Sequence, residues 1–234
     1  MSKIIEITKQ YAPALSDTAC ARLEVIADRL VEMNKHLNLT SLTSDEEVAL
    51  LHFFDSLTLL QTELFDGEQN VLDVGCGGGF PSLPLAACTD CRVTSNDATA
   101  KKLKFVEDTA HAAGITSLST LCGRAEELGR DASYREQYDR VVSRGVARMN
   151  ILCEWCMPFV KVGGYFVAMK GNRGREELEE AQNAVQKLGG EIVSVIDAPI
   201  PVFDRSHTLL VIKKISPTDE LYPRPNGRIM KKPL

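Results

Sequence analysis

Val71-Leu72-Asp73-Val74-Gly75-Cys76-Gly77-Gly78-Gly79-Phe80 decides the fold of this 234-residue chain. A short apolar run carrying one acid gives way to four glycines in five positions. That pattern reads as a buried parallel strand turning sharply into a helix. Glycine suits such a turn because it lacks a Cβ and tolerates positive φ. It also lets a ligand lie directly on the main chain. In open α/β sheets, ligands bind at the carboxyl ends of strands near the point where strand order reverses. The loop is therefore the expected cofactor site.

A dinucleotide fingerprint requires Gly-x-Gly-x-x-Gly. Gly75 and Gly77 fit it, but Phe80 stands at the last position and Asp73 is foreign to the pattern. A second acid, Asp97, follows the segment Cys91-Arg92-Val93-Thr94-Ser95-Asn96. An acid after the second strand can accept both ribose hydroxyls in charge-assisted hydrogen bonds. Asp-x-Gly-x-Gly followed by such an acid resembles the class I methyltransferases that use S-adenosylmethionine. The alternative is a glycine turn that holds no ligand.

Outward from this loop the chain alternates strand and helix. Strands are expected at Val71–Val74, up to Asn96, at Leu118–Cys122, Tyr138–Ser143 and Tyr165–Met169, with a closing pair at Glu191–Ile196 and Thr208–Lys213. Helices are expected from Pro81–Ser82, over Thr99–Ala113 up to Gly114, from Ala125, over Asn150–Val160 and over Glu176–Leu188. Five βα units and a terminal hairpin imply a doubly wound α/β sheet. Before it, residues 16–64 read as helical. Leu23, Ile26, Ala27, Leu30, Val31, Met33 and Leu37 recur at helical spacing, and Ser44-Asp45-Glu46-Glu47 is an N-cap with acids in the first turn. The expected organisation is a helical cap over 1–66, a catalytic domain over 67–215 and a basic tail over 216–234. The Pro, Gly and Lys content of the tail points to mobility.

Composition is that of an ordinary globular protein, 44% hydrophobic and 25% charged. No apolar run reaches the roughly 20 residues needed to cross a bilayer, and the N-terminus lacks a signal-peptide pattern. A cytoplasmic protein without membrane partners is expected, as a monomer. Seven cysteines argue against a full disulfide framework. Cys88/Cys91 and Cys153/Cys156 have Cys-x-x-Cys spacing, which zinc sites also use, but buried small residues are the favoured reading and no metal is expected. Net charge is −5, yet Lys101-Lys102-Leu103-Lys104, the arginines at 140, 144 and 148, the run Lys170–Arg175 and the tail carry local positive charge. Such runs are either solvated faces or a patch for a polyanion.

Further segments resemble one family, the ribosomal RNA small subunit methyltransferase G family, also called glucose-inhibited division protein B. These are Met33-Asn34-Lys35-His36-Leu37-Asn38-Leu39-Thr40, His52-Phe53-Phe54-Asp55-Ser56-Leu57, the glycine loop with Pro81, Gly123-Arg124-Ala125-Glu126, Val142-Ser143-Arg144-Gly145-Val146-Ala147, Ala168-Met169-Lys170-Gly171 and Tyr222-Pro223-Arg224. The match spans nearly the whole chain, and its specificity lies in the order of the motifs. Met169 stands where many members have leucine. The resemblance implies methylation of N7 of a guanine in 16S ribosomal RNA near the decoding region, with S-adenosylmethionine as cofactor and the RNA or small ribosomal subunit as partner. It implies cofactor contacts at Gly75, Phe80, Ala125, Glu126 and Arg144, to which ribose chemistry adds Asp97. Arg124, Arg144, Lys170 and Arg173 are the candidate RNA contacts, with Arg144 and Lys170 nearest the target.

Guanine N7 is already a lone-pair nucleophile without a proton. Transfer therefore requires alignment rather than a general base, and no catalytic His or Cys is expected. His36, His52, His111 and His207 read as structural, and His52 with Asp55 is placed to pin the cap to the sheet. Other readings stay open beside these. Asp97 also suits a helix N-cap, Glu126 a helix N-terminus, Arg144 a surface ion pair and Phe80 the core. The chain has no Asn/Asp-Pro-Pro-aromatic motif for an exocyclic amine and no Pro-Cys for cytosine C5. Both absences suit a ring nitrogen. Competing functions are a methyltransferase of small molecules or proteins, a catalytically dead RNA-binding module and, more remotely, a nicotinamide oxidoreductase.

Overall fold

The computed structural model describes residues 1–37, 40–203 and 206–234, apart from the side chains of residues 36, 37 and 206. Asn38, Leu39 and the side chains of His36 and Leu37, all part of the first family segment, lie outside the described residues. Strands β1 (Asn70–Val74), β2 (Arg92–Asp97), β3 (Leu118–Cys122), β4 (Tyr138–Arg144), β5 (Val160–Lys170), β6 (Gly190–Pro199) and β7 (Ser206–Lys214) form one sheet in the order β3-β2-β1-β4-β5-β7-β6. The pairs from β3 through β5 are parallel, whereas β7 runs antiparallel to both β5 and β6. Strand order reverses between β1 and β4, so the crevice for a ligand opens at their carboxyl ends. This is the doubly wound sheet that the alternation of elements predicts.

Both faces of the sheet are covered, which explains the nearly continuous apolar strands. Successive side chains point to opposite faces. Val71, Val167, Met169, Leu209 and Val211 pack into one core with residues of the N-terminal helices. Leu72, Val74, Phe166, Ala168, Leu210 and Ile212 pack into the other.

The N-terminal helices are α1 (Lys3–Tyr11), α2 (Asp17–Leu37), α3 (Asp45–Val48) and α4 (Asp55–Leu57). A π-helical stretch, Ala49–Phe54, joins α3 to α4, and a 3-10 turn over Thr58–Thr62 follows. The buried stripe Leu23, Ile26, Ala27 and Leu30 seats α2 on the first core, while Val31, placed in that stripe by periodicity, is 44% exposed. Ser44 and Glu47 close a capping box, with Ser44 Oγ accepting from Glu47 N at 3.2 Å. The segment α1 was not expected: its apolar residues are few, and burial of Ile4 and Ile5 against the cap sustains it.

The remaining helices are α5 (Ser82–Cys88), α6 (Ala100–Ala112), α7 (Ala125–Leu128), α8 (Met149–Cys156), α9 (Gly174–Glu180), α10 (Gln182–Lys187) and α11 (Asn226–Lys231). Two sequence expectations are corrected. The helix over 176–188 is broken at Ala181 into α9 and α10. The segment ending at Val160 leaves the α-helix at Cys156, passes through a 3-10 turn and enters β5 at Val160.

The tail is the larger correction, for it folds back instead of extending. Arg135 donates to the carbonyls of Thr218, Asp219 and Tyr222 at 2.6, 3.2 and 2.9 Å. The fully buried Lys214 ammonium donates to Met157 O at 2.8 Å and to Thr218 Oγ1 at 2.6 Å, and meets Glu136 at 3.1 Å. Burial lowers its pKa to about 8, against the pull of Glu136. Arg224 forks onto the fully buried Glu154 of α8, with Nε to Oε1 at 2.8 Å and Nη2 to Oε2 at 2.6 Å. Arg224 thus clamps the tail rather than facing an RNA. Beyond it, Ile229 is fully buried.

Removing one member of a buried pair leaves a desolvated charge, whereas replacing both with apolar groups does not. Arg224→Ala is expected to destabilise the protein by about 3–5 kcal/mol in urea denaturation. Arg224→Met combined with Glu154→Gln, which orphans no charge and keeps an acceptor for the Arg224 N–H, is expected to recover most of that loss.

Candidate cofactor and target site

The glycine turn is tied to its neighbouring strand before any ligand is considered. Gly75 N and Cys76 N both donate to Asn96 O at 2.9 Å. Asn96 in turn donates through Nδ2 to the carbonyls of Leu121 and Gly123 at 2.8 and 3.0 Å, fixing the end of β2 against the end of β3. Gly75 has φ +76°, and a Cβ added there meets Val146 Cγ2 at 2.7 Å. Gly79 has φ +89°, and its Cβ meets Leu83 Cδ1 at 2.4 Å. A side chain at either position strains the backbone and forces the neighbouring Val146 or Leu83 side chain to move.

Asp97 bridges this turn to the next helix. Its Oδ2 accepts from Gly77 N at 3.2 Å and its Oδ1 from Thr99 N at 2.8 Å, with Lys102 Nζ 3.9 Å away. Asp97 is therefore not the helix cap: Thr99 is the N-cap of α6 and has no side-chain cap bond, and Asp97 only turns the chain into it. Each carboxylate oxygen has a further lone pair for a ligand.

Two cavities meet at this point. The smaller, about 200 Å³, is bounded by Gly75, Asn96, Asp97, Ala125, Glu126 and Trp155, with Arg124 and Asn226 also on its wall. The larger, about 360 Å³, is bounded by Gly75, Gly77, Phe80, Asp97, Lys102 and Arg144, and is roofed from the cap by Leu30, Thr40 and His52. Gly75, Asp97 and Val146 belong to both. Together they have the size of a small-molecule site. All six candidate cofactor contacts, Gly75, Phe80, Asp97, Ala125, Glu126 and Arg144, lie on one wall or the other.

A buried polar network forms the back of the larger cavity. Arg144, at the end of β4, donates through Nη1 to Asp55 Oδ2 at 2.8 Å and to Leu51 O at 3.0 Å. Its Nη2 lies 3.1 Å from His52 Nδ1. Arginine only donates, so His52 Nδ1 must accept, and its Nε2 carries the proton toward Thr40 Oγ1 at 2.7 Å. His52 is thus a neutral imidazole. Burial first and the Arg144 charge second lower its pKa to about 3, with Asp55 opposing them. Burial pushes the Asp55 carboxyl up, but the His207 hydrogen bond at 2.7 Å and the Arg144 charge outweigh it and hold the group below its ordinary range. Arg144 is therefore a buried partner of Asp55 rather than a surface ion pair. His52 and Asp55 pin the cap through Arg144 and His207, not through each other.

Phe80 stacks on His52 with centroids 4.6 Å apart, meets Phe53 edge-on at 5.4 Å and lies 5.6 Å from the Arg144 guanidinium carbon. It is buried in the core and also reaches the cavity wall, so both readings of this residue apply. Beneath the turn, Asp73 is fully buried. Its Oδ2 accepts from Ser82 N at 3.1 Å, and its Oδ1 has no partner. Burial raises its pKa from 3.8 to about 7, against the Ser82 hydrogen bonds.

The candidate RNA contacts separate. Arg124 is exposed at the smaller cavity. Arg173 is exposed and forks onto Glu176 at 2.9 Å. Lys170 is 8% exposed, meets Glu177 at 2.7 Å and donates to Ala147 O at 2.8 Å. Its ammonium braces the end of β5 and is not placed to receive a phosphate, which corrects the sequence expectation. Of the Cys-x-x-Cys pairs, Cys153 and Cys156 are fully buried, and burial pushes the Cys153 thiol up to about 12. Cys91 is buried and Cys88 half-buried. Among the described residues, no cluster of three or more His, Cys, Asp or Glu side chains is arranged to hold a metal, and no helix is long and apolar enough to cross a membrane.

Sequence reasoning missed Trp155, Asn226, Thr40, Lys102 and Val146 as wall residues. Only Val146 and Thr40 fall within motif segments, and nothing local marks Trp155 or Asn226, which arrive from distant parts of the chain.

Residues 19–202 match the family model described as rRNA small subunit methyltransferase G. The protein of that name from Alkaliphilus metalliredigens (strain QYMF) is 41% identical over 221 residues, covering 94% of this chain and 92% of its own. Its namesake from Lactobacillus johnsonii is 42% identical over 228 residues, covering 96% and 95%. Among solved structures, P. horikoshii TYW2 in complex with MeSAdo superposes with a TM-score of 0.53 at 18% identity, over 67% of this chain and 61% of that one. Methanococcus jannaschii fibrillarin, a pre-rRNA processing protein, gives 0.53 at 16%, over 65% and 69%. At such identities these two establish the fold alone, which is that of the class I methyltransferases.

Asp73 generates a pH-dependent prediction. Its folded pKa is raised from 3.8 to about 7, so between those values the folded protein holds a proton that the unfolded chain has lost. The carboxyl therefore subtracts stability progressively as pH climbs through that window. Asp73→Asn keeps an oxygen acceptor for Ser82 N–H and abolishes the titration. The Tm of this variant relative to wild type is expected to rise as pH is raised from about 4 to about 7. A difference that is constant with pH contradicts the assignment.

Proposed function

The chain belongs to the rRNA small subunit methyltransferase G family, and on that premise we propose that it transfers the methyl group of S-adenosylmethionine to N7 of a guanine in 16S ribosomal RNA near the decoding region. The observation that carries this reading is the pair of cavities meeting over Gly75 and Asp97. One has the walls of a nucleoside site, and the other lies between the glycine turn and the cap.

The residues present fit the methyl donor. The bare main chain at Gly75 permits close approach, and the acid at the end of β2 offers acceptor lone pairs to two ribose hydroxyls. Ala125 and Glu126, at the start of α7, form the wall for the adenine. Arg144 spends three of its five N–H groups on Leu51, Asp55 and His52, leaving two for the carboxylate of the methionine portion. The cofactor, when bound, supplies an electrophilic methyl on a sulfonium.

This chain's own contribution is positional. The target base enters the larger cavity, where Phe80 and His52 offer a stacked aromatic wall and Arg144 is held rigid by Asp55. N7 has no proton to lose, so His52 need not act as a base, and its neutral, doubly bonded imidazole suits a fixed wall. Holding nucleophile and methyl in line contributes several kcal/mol, on the order of what well-oriented intramolecular reactions gain. The base must leave its helical stack to reach this depth. Exposed Arg124 and Arg173, with Lys102 at the cavity, supply positive charge for the surrounding phosphates, so activity on RNA falls with salt. The chain acts as a monomer in the cytoplasm.

Two measurements test this reading. In 16S RNA from a strain lacking the gene, mass spectrometry is expected to show loss of one 7-methylguanosine, restored by the cloned chain. An unchanged 7-methylguanosine content overturns the proposal. Asp97→Ala is expected to weaken S-adenosylmethionine binding by about 10- to 100-fold, the loss typical of hydrogen bonds to a charged group, as measured by calorimetry.

A further inference from the structure

Two residues on the wall of the smaller cavity, both half-buried, each carry a buried polar atom with no hydrogen-bond partner in the protein. The atoms are Trp155 Nε1, on α8, and Asn226 Oδ1, at the start of α11. They do not bond each other. One is an obligatory donor and the other an acceptor. Leaving such groups buried and unpaired is costly, and each instance in a folded protein calls for a cause.

Their positions are enforced from outside the cavity. The buried Arg224–Glu154 pair lies one residue before Trp155 and two before Asn226 along their respective segments. Arg224 N also donates to Glu154 Oε1 at 2.8 Å. The clamp therefore fixes α8 and the tail together at the place where these two side chains converge. The stabilising contacts of the tail and the unpaired polar atoms are adjacent, which is the arrangement of a supported binding site.

We propose that Asn226 and Trp155 read the hydrogen-bonding edge of the cofactor's adenine, making the C-terminal segment part of the nucleoside site. The inference rests on the methyl-donor reading above. Adenine presents an exocyclic amine that donates beside a ring nitrogen that accepts. Turned into the cavity, the pair offers the complement, an amide oxygen for the amine and an indole N–H for N7, which stays an acceptor when the amine is replaced by a carbonyl. Glu126 and Ala125 close the same cavity from α7. The tail thereby contributes specificity for the base of the cofactor in addition to covering the second core.

Trp155 is the only tryptophan of the chain, so its fluorescence reports the site directly. Binding is read with S-adenosylhomocysteine and with S-inosylhomocysteine, in which a carbonyl acceptor replaces the amine donor. Wild type is expected to bind the adenosyl compound with a change in tryptophan emission, and the inosyl compound about tenfold more weakly. Asn226→Leu, measured by calorimetry, is expected to bind the adenosyl compound about tenfold more weakly than wild type and to lose the preference between the two. Trp155→Phe keeps the ring and removes the N–H. It gives an independent measurement if the first variant fails to fold, with an expected weakening of the same order. Unchanged affinity in both variants, or an equal loss for both ligands in Asn226→Leu, overturns the proposal. Absence of binding to wild type overturns the cofactor reading itself.

Discussion

The buried pair between Arg144 at the end of β4 and Asp55 of the helical cap is the interaction on which the site depends. A sheet of this topology provides a crevice at the strand ends, but it does not by itself enclose one. The cap closes it, and the Arg144–Asp55 contact at 2.8 Å, backed by His207 on β7, fixes where the cap sits. His52 and Thr40 are carried to the cavity by the same segment. Because Asp55 is almost wholly buried, its charge is tolerable only while Arg144 and His207 stay in place. The roof of the cavity and its electrostatics are thus one structural decision.

The second constraint is the exposed main chain of the glycine turn. Gly75 and Gly79 adopt positive φ that a side chain would strain, Asn96 O holds the amides of Gly75 and Cys76, and Asp97 holds that of Gly77. The turn is therefore rigid before a ligand arrives, which limits the ordering cost of binding. Asp73 beneath it is buried with one oxygen unpaired and a pKa raised to about 7. It is a polar group retained under the turn at some cost to stability.

Much of this was legible in the sequence, for identifiable reasons. The apolar strand ending in glycines, the acid closing β2 and the alternation of strand and helix are local signals, and the strands appear where those signals put them, whereas two of the helices end or break elsewhere. Gly75, Phe80, Asp97, Ala125, Glu126 and Arg144 follow strand ends, and strand ends converge in a doubly wound sheet, so their meeting was foreseeable. Lys170 also follows a strand, but the placement of Glu177 on α9 turned its charge inward, which no local pattern announces. The tail misled for the same reason. Its prolines and cations look like a mobile basic arm, whereas Glu154, 70 residues earlier, converts Arg224 into a clamp. The same clamp helps to hold Trp155 and Asn226 on one cavity wall. What the sequence hides is which charges find partners across the fold.

The most direct test of the central claim is a crystal structure with S-adenosylhomocysteine bound. The ribose is expected within hydrogen-bonding distance of Asp97, the adenine between Glu126 and Trp155, and the amino-acid end beside Arg144. Nucleoside bound elsewhere, or a turn between Asp73 and Phe80 covered by the protein's own side chains, would contradict that claim.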